Sequence, residues 1–419
     1  MGIGGSGMSA VAQIAFAQGY EVSGCDLTLD SPYIDKVKNL HIGISEGHNS
    51  SHLQQVDILA VTPAVFYQND THAETTLARQ KNILMKWQDF MGANLHKNKY
   101  LICVAGTHGK STTTAIAGLL LEKAGLDPTV EVGATLKDWH NNVRLGQSKY
   151  FISEADEFHD NFATYFPDII LLTLVEYDHP EYFKSIDNML LCYQRFINRL
   201  KPNGIVIYNA DSPMCLKLKF PENSIPYHLS DFPEDLRLSQ PGNHNKLNAL
   251  AIIRLANVLK ISDLDLDYTL RHFSGLDRRL DLIGEKHGKL VYDDYANHPS
   301  SFSATISAVK ELHPHARICT VIEPHTFSRL RSLLPELPDS VKLADEVIVS
   351  KIFASRETDP GDFTGADIVH AMHHPHALFL PEFSQIISHI VSQKSDYDVY
   401  LIMGSGNSHK LSKQILENL

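Results

Sequence analysis

A strand-length apolar run at residues 99–104, a turn reading Gly106-Thr107-His108-Gly109-Lys110-Ser111, and a stretch rich in Ala, Leu and Thr at residues 111–124 follow one another without a break. Few folds accept that succession. A buried strand that passes through a glycine turn into a helix is the phosphate-holding unit of parallel sheets, so the segment predicts an α/β fold with this turn at the carboxyl end of a strand. The backbone N–H groups of such a turn and of the first helical residues, here Gly106 to Thr112, surround phosphate oxygens. The Lys110 ammonium neutralises them, and the Ser111 hydroxyl offers an oxygen to Mg2+. ATP and Mg2+ are therefore the expected cofactors. Val104 stands five residues before Gly109, where the full pattern has glycine, which makes the loop a shortened variant.

The remaining chain repeats the alternation. Strand-like runs at residues 20–25, 57–62 and 83–84 precede a polar joint at 92–99, and runs at 150–153, 169–173 and 204–208 follow the phosphate loop, with helical segments such as 186–200 between them. After Phe273-Ser274-Gly275-Leu276-Asp277-Arg278-Arg279 the rhythm restarts at 289–292, 316–322, 346–350 and 399–403. A chain of 419 residues is too long for one core, and we read three α/β domains, residues 1–96, 97–276 and 277–419.

A formal charge of −12 argues against nucleic acid or an anionic membrane surface as the main partner. No apolar run reaches membrane-spanning length and no secretory leader is visible, which predicts a cytoplasmic protein. Cys25, Cys103, Cys192, Cys215 and Cys319 form no C-x-x-C pair and read as buried thiols of a reducing compartment rather than as a metal or redox site.

Polar groups recur where strands should end. Gly2-Ile3-Gly4-Gly5-Ser6-Gly7 leads into a helical run at 9–18, and Asp26 closes the next strand-like run, a pattern suited to a pyrophosphate at a helix N-terminus. The strand that should precede these glycines is missing, so either the start is truncated or the sheet lacks an edge. Glu154-Ala155-Asp156-Glu157 follows the run 150–153, where Glu154 and Ser111 together would give Mg2+ two oxygen ligands. Glu176-Tyr177-Asp178-His179-Pro180 follows the next run, with His179 as a further Mg2+ ligand or a charge donor. Gly242 to Asn248 opens a helix at 249–259; its amides, Asn245 and Asn248, suit a purine edge, or the turn is only a helix cap. Arg278 and Arg279 suit phosphate. Asp293 to Pro299 and Glu323 to Arg329 again follow strands, where open α/β sheets bind ligands. His373-His374-Pro375-His376 reads as a solvated loop.

Taken in order, residues 2–8, 106–113, 154–157, 176–179, 242–248 and 293–299 resemble the Mur ligase family of peptidoglycan synthesis, and the similarity covers nearly the whole chain. The resemblance implies a Rossmann-like UDP-sugar domain, a central P-loop ATPase domain and a C-terminal Rossmann-like amino-acid domain. It also implies ATP-dependent amide ligation. The lactyl carboxylate of UDP-N-acetylmuramate attacks the γ-phosphate of ATP, ADP leaves, and an amino group, that of L-alanine in the most similar branch, displaces phosphate from the acyl phosphate. Carried onto this sequence, Gly4, Gly5, Ser6 and Asp26 hold the UDP-sugar, while Gly106, Thr107, His108, Gly109, Lys110, Ser111 and Thr112 hold the phosphates. Ser111, Glu154 and His179 hold Mg2+, and Asn245, Asn248, Arg279 and Asp294 hold the rest of ATP. His298, His325 and Arg329 face the amino acid and the reacting centre; with Lys110 and His179 they are the candidate catalytic residues.

Two departures bear on the amine. Asn297-His298-Pro299 stands where the alanine-adding branch has His-His-Pro, and Thr326 stands where it has a basic residue. Loss of one guanidinium would weaken a carboxylate clamp by about 1–3 kcal/mol or signal a different amine. Residues 154–161 and 176–180 are also similar to the recycling branch that attaches a preformed murein tripeptide, which is the alternative.

Overall fold

The computed structural model describes residues 1–69, 71–393 and 396–419. By their contacts these residues form two compact units. One comprises Met1–Tyr177, Ser185–Ser239 and Leu247–Ser274, the other Asp178–Lys184, Gln240–Lys246 and Gly275–Leu419. Residues 1–96 and most of 97–276 thus share the first unit.

The first unit contains β1 (Ser23–Asp26), β2 (Gly43–Glu46), β3 (Leu59–Val61), β4 (Leu84–Lys86), β5 (Tyr100–Ala105), β6 (Thr129–Leu136), β7 (Asn141–Arg144), β8 (Tyr150–Glu154), β9 (Ile169–Leu172), β10 (Ile205–Asn209) and β11 (Ile225–Tyr227). Strands β5 to β11 make a seven-stranded sheet in the order β11-β10-β9-β5-β8-β6-β7, parallel except for the β6–β7 hairpin. Leu101 to Ala105 and Ile169 to Leu172 are buried along both faces, as an unbroken Val/Ile/Leu run demands of a parallel strand covered on either side. Because β5 lies between β8 and β9, the loops after Ala105, Glu154 and Leu172 emerge side by side.

Nearer the N-terminus, β1 pairs with β2 and β3 with β4, both in parallel. The backbone of Met1–Ile3 lies between the pairs: Gly2 and Ile3 N–H donate to Cys25 O at 2.8 and 3.2 Å, and Thr62 N–H donates to Met1 O at 3.2 Å. These residues hold the place of the strand that the sequence pattern lacks.

The second unit carries β12 (Asp281–Lys286), β13 (Lys289–Asp294), β14 (Ile318–Glu323), β15 (Glu346–Val349), β16 (Ala377–Phe379) and β17 (Val399–Gly404). Their order is β12-β13-β17-β14-β15-β16, with only β12 antiparallel to its neighbour. Side chains of β17 alternate between the two cores: Val399, Leu401 and Met403 pack with Phe302 and Ile306, Tyr400 and Ile402 with Leu411 and Ile415. That alternation is the period of a strand whose two faces are both covered.

Within residues 92–99, read from the sequence as a polar joint, Leu95 and His96 are buried while Ala93, Lys97 and Asn98 are exposed. Met91–Leu95 extends the short helix Trp87–Phe90 as a π-helical turn with Met91 and Leu95 buried. His96 sits edge-on to Phe151 and Tyr165, each at 4.6 Å. Burial, helped by Lys201, pulls its imidazole down to about 3, so it serves as a neutral ring in the core. Strands β2, β6, β7, β11, β12 and β16 were not foreseen. In β6 the buried Glu131 and the glycine at 133 break the apolar run that would have marked a strand. Among the described residues no helix is long and apolar enough to cross a membrane.

Candidate active site

The loop from Gly106 to Gly109 joins β5 to the helix Lys110–Lys123. Gly106 has φ +136° and Gly109 has φ +85°; a Cβ would fall 2.2 Å from Thr173 Oγ1 at the first and 2.4 Å from Asn248 Oδ1 at the second. Neither place admits a side chain, so the loop can follow its path only with glycine. Thr107 pins the loop to the end of β9, its N–H donating to Leu174 O at 2.6 Å and its hydroxyl donating to Glu176 O at 2.9 Å. Thr173 Oγ1 donates to His108 O at 2.6 Å, and His108 Nε2 lies 3.4 Å from Glu176 Oε2. Thr112, on the first turn of the helix, is half-buried.

Lys110 Nζ donates to Gly106 O at 2.6 Å and pairs with Glu157 Oε2 at 3.0 Å. Burial alone would pull this ammonium down, but Glu157, Asp156 and Glu154 outweigh that and leave it above the ordinary lysine value. A cation so held stays charged. Glu157 is the carboxylate that sequence reasoning passed over in favour of Glu154, although both stood in one acidic run. Glu154 itself accepts from Ser111 Oγ at 3.2 Å and from Gly133 N–H at 2.7 Å.

Behind this pair, Glu131 accepts from Ser153 Oγ at 3.1 Å and from Glu154 N–H at 3.2 Å. Burial, with the Glu154 charge nearby, pushes its carboxyl up to about 8 from 4.5. Folded, the group keeps its proton through that interval while the unfolded chain releases it, so stability falls as pH rises from about 4.5 to 8. Glu131→Gln should remove this dependence. Its urea midpoint, plotted against pH, should gain on the parent over that window; parallel curves would refute the assignment.

At the glycine-rich start, Asp26 accepts from Gly4 N–H and from Leu27 N–H, each at 2.7 Å, and Ser31 Oγ donates to Gly4 O at 2.6 Å. Asp26 therefore shapes the loop. The helix Ser6–Ala17 has no side-chain cap and no acidic residue in its first turn, so its amide end suits an anion. Ser6 Oγ donates to Gly133 O at 3.1 Å, and Asn142 Nδ2 donates to Ser6 O at 2.9 Å. Asn142 and Gly133 are contributions of the unforeseen β6–β7 hairpin.

In the second unit the expected residues are tied to acidic partners that sequence reasoning did not assign to them. Arg329 Nε lies 2.8 Å from Asp178 Oδ1 and its Nη2 donates to Oδ2 at 3.3 Å, with both side chains buried. Arg329 also donates to His325 Nδ1 at 3.4 Å. Burial and the charges of Arg329 and Arg356 pull His325 down to about 3, so it is a neutral imidazole accepting through Nδ1. His179 takes a left-handed backbone, φ 56°, with Nδ1 3.1 Å from Glu181 Oε1. Burial would raise the Glu181 carboxyl, but the bond and charge of His179 and the bond from Arg356 hold it down to about 2. A carboxylate on Nδ1 leaves Nε2 as the ring atom that can ligate a divalent ion once the ring is neutral.

The remaining expected residues also make bonds within the protein. Asp294 accepts from Leu280 N–H at 2.6 Å and Ala296 N–H at 2.8 Å, shaping the turn after β13. Arg278 pairs with Asp293 at 3.1 Å and donates to Gly404 O at 2.6 Å, whereas the Arg279 guanidinium lies 5.1 Å from the Tyr295 ring centre. His298 caps the helix Pro299–Leu312, Ser300 N–H donating to its Nδ1 at 3.3 Å. Residues 243–248 belong to the helix Asn243–Leu259 rather than to a turn before it. Asn245 Nδ2 donates to Pro241 O at 2.8 Å within the second unit, while Asn248 meets Gly109 in the first. Thr326, where a basic residue was expected, is buried at φ 61° with its N–H on Phe353 O at 3.0 Å. Its side chain lies in the protein interior, where a charge would need a buried partner.

A parallel sheet whose phosphate loop meets carboxylates from the neighbouring strand defines a P-loop α/β protein. Three family descriptions match the chain: "Mur ligase family, catalytic domain" over residues 1–98, "Mur ligase middle domain" over 104–240 and "Mur ligase, glutamate ligase domain" over 278–406. The chain belongs to the Mur ligase family. It is 34% identical to the UDP-N-acetylmuramate–L-alanine ligase of Clostridium acetobutylicum, over 99% of this chain and 96% of that one. In fold it is similar to the UDP-N-acetylmuramate-alanine ligase of Thermotoga maritima, with a TM-score of 0.80 and 24% identity over 99% of this chain and 97% of the other. A murein peptide ligase from Psychrobacter arcticus has a TM-score of 0.69 at 22% identity, covering 100% and 97%.

Proposed function

We propose that this chain is the cytoplasmic enzyme that joins L-alanine to UDP-N-acetylmuramate at the expense of ATP, through an acyl phosphate, in a three-domain chain divided near residues 97 and 277. The phosphate loop carries the reading, because Lys110 and Ser111 meet Glu157 and Glu154 at bonding distance beyond the ends of the adjacent parallel strands β5 and β8. The choice of alanine is supported by the curated relative from Clostridium acetobutylicum.

Two anions must meet when the lactyl carboxylate attacks the γ-phosphate. Loop amides from Thr107 to Thr112 and the Lys110 ammonium gather positive charge where the transferring phosphoryl group would lie. Glu157 keeps Lys110 charged and aimed. Ser111 Oγ and Glu154 Oε1 stand 3.2 Å apart, close to the ~3.0 Å between neighbouring oxygens of an octahedral ion bound at 2.0–2.1 Å. They suit Mg2+, which when bound would offset phosphate charge. Asp26 holds the Gly4 loop so that the N-terminus of the helix Ser6–Ala17 meets the UDP diphosphate. On the amine side, His325 is held neutral beside Arg329 and can offer a hydrogen bond to the amine, which attacks only after its ammonium proton has gone to solvent.

Asp26→Ala should therefore raise the KM for UDP-N-acetylmuramate about tenfold or more, the loss of one to two charge-assisted bonds, with little change in kcat. An unchanged KM would remove Asp26 from the sugar site. The identity of the amine is tested by phosphate release with ATP, Mg2+ and UDP-N-acetylmuramate, offering L-alanine, glycine, L-serine or murein tripeptide in turn. Release with L-alanine is expected; release with tripeptide alone would reassign the chain to tripeptide recycling.

A further inference from the structure

Away from the phosphate loop, four metal-ligating side chains from three segments of the first unit converge. Cys25 comes from β1, His48 from the loop after β2, His52 from the 3-10 turn Ser50–Leu53 and Glu74 from the helix Ala73–Gln80. His48 Nδ1 lies 3.2 Å from Cys25 Sγ, and the Glu74 oxygens lie 3.5 and 3.6 Å from the same sulfur. His52 Nδ1 is 3.6 Å from Glu74 Oε1, and His48 Nδ1 is 4.0 Å from Oε2. Tetrahedral zinc, with bonds of about 2.3 Å to sulfur and 2.0–2.2 Å to nitrogen and oxygen, sets its ligand atoms roughly 3.4–3.6 Å apart. The observed separations bracket that spacing. We propose that Cys25, His48, His52 and Glu74 form a structural zinc site that staples β1, the segment after β2 and the helix Ala73–Gln80 together.

A network of hydrogen bonds alone accounts for Cys25 and Glu74, but it leaves His52 Nδ1 shielded from solvent without a hydrogen bond. Thiolate and carboxylate would neutralise the ion's two charges, and two imidazoles complete a closed set, as structural rather than catalytic zinc requires. Glu74 is also held in place, its backbone N–H donating to His72 Nδ1 at 3.1 Å. On binding, zinc would take the place of the Cys25 thiol proton, which passes to solvent. No spacing rule found the site, because its ligands are scattered over fifty residues of chain.

The test uses untagged full-length protein stripped with chelator, to which zinc or cobalt is added alone. One zinc per chain is expected, with a rise in Tm and with thiolate-to-metal charge-transfer absorption in the cobalt form. Cys25→Ser should abolish that absorption, and His52→Gln, a milder change at a half-exposed residue, should weaken zinc binding at least about tenfold. Cobalt without the thiolate band, absence of stoichiometric zinc, or a zinc affinity in either variant equal to the parent's would overturn the proposal. Phosphate release by the chelator-treated protein with Mg2+ restored tests the ligase reading separately.

Discussion

Lys110→Met is expected to lower the rate of ATP-dependent ligation by a factor of about 10²–10³ or more, the cost of removing a preorganised charge from a phosphoryl-transfer site. Lys110 is the only cation seen bonding within the phosphate loop among the described residues, and it reaches both Gly106 O and Glu157. The variant also strands Glu157, whose side chain is 2% exposed, as a buried anion. Some loss of folding stability should accompany the loss of activity. Lys110→Met with Glu157→Gln separates the two effects: stability should largely return while kcat stays low. Recovery of activity with stability would mean that Lys110 only holds the loop, and burst-phase phosphate measurements on both variants decide it.

Cutting the pair between Asp178 and Arg329 should be the most destabilising single change in the second unit. The side chains are 8% and 4% exposed, with Nε 2.8 Å from Oδ1, and removal of one partner from a buried ion pair costs about 3–5 kcal/mol. Arg329→Met should therefore lower the urea midpoint sharply. The double variant with Asp178→Asn should be more stable than the single changes add up to. Additive effects would show that the two groups are solvated independently. His325 gives a second readout, because losing the Arg329 charge should raise its depressed pKa from about 3, visible by NMR titration.

What the sequence made legible was whatever depends on short-range order. The strand, turn and helix around Gly106 to Lys123 follow from glycine placement and apolar runs, and the carboxylates at 154 and 176 were found because strand ends carry ligands in open sheets. Long-range pairings were not legible. Glu157 as the partner of Lys110 depends on β5 and β8 lying side by side, and Asp178 as the partner of Arg329, 151 positions away, lies beyond any local pattern. Nor did spacing show that Asp26 and Asp294 would spend their oxygens on backbone amides, since an acid after a strand reads alike whether it meets a ligand or a turn. The joint at 92–99 hid a core residue for a different reason: His96 counts as polar in a sequence but packs as an uncharged ring once Phe151 and Tyr165 enclose it.

The central claim is that ATP activates a carboxylate as an acyl phosphate. It is tested most directly by following an oxygen atom. UDP-N-acetylmuramate carrying heavy oxygen in its lactyl carboxylate should pass one labelled oxygen to the inorganic phosphate released when L-alanine is joined, because the carboxylate oxygen bonded to phosphorus leaves with it. Mass analysis of the phosphate reads this result. Phosphate free of label, or label recovered in a nucleotide monophosphate, would contradict the account.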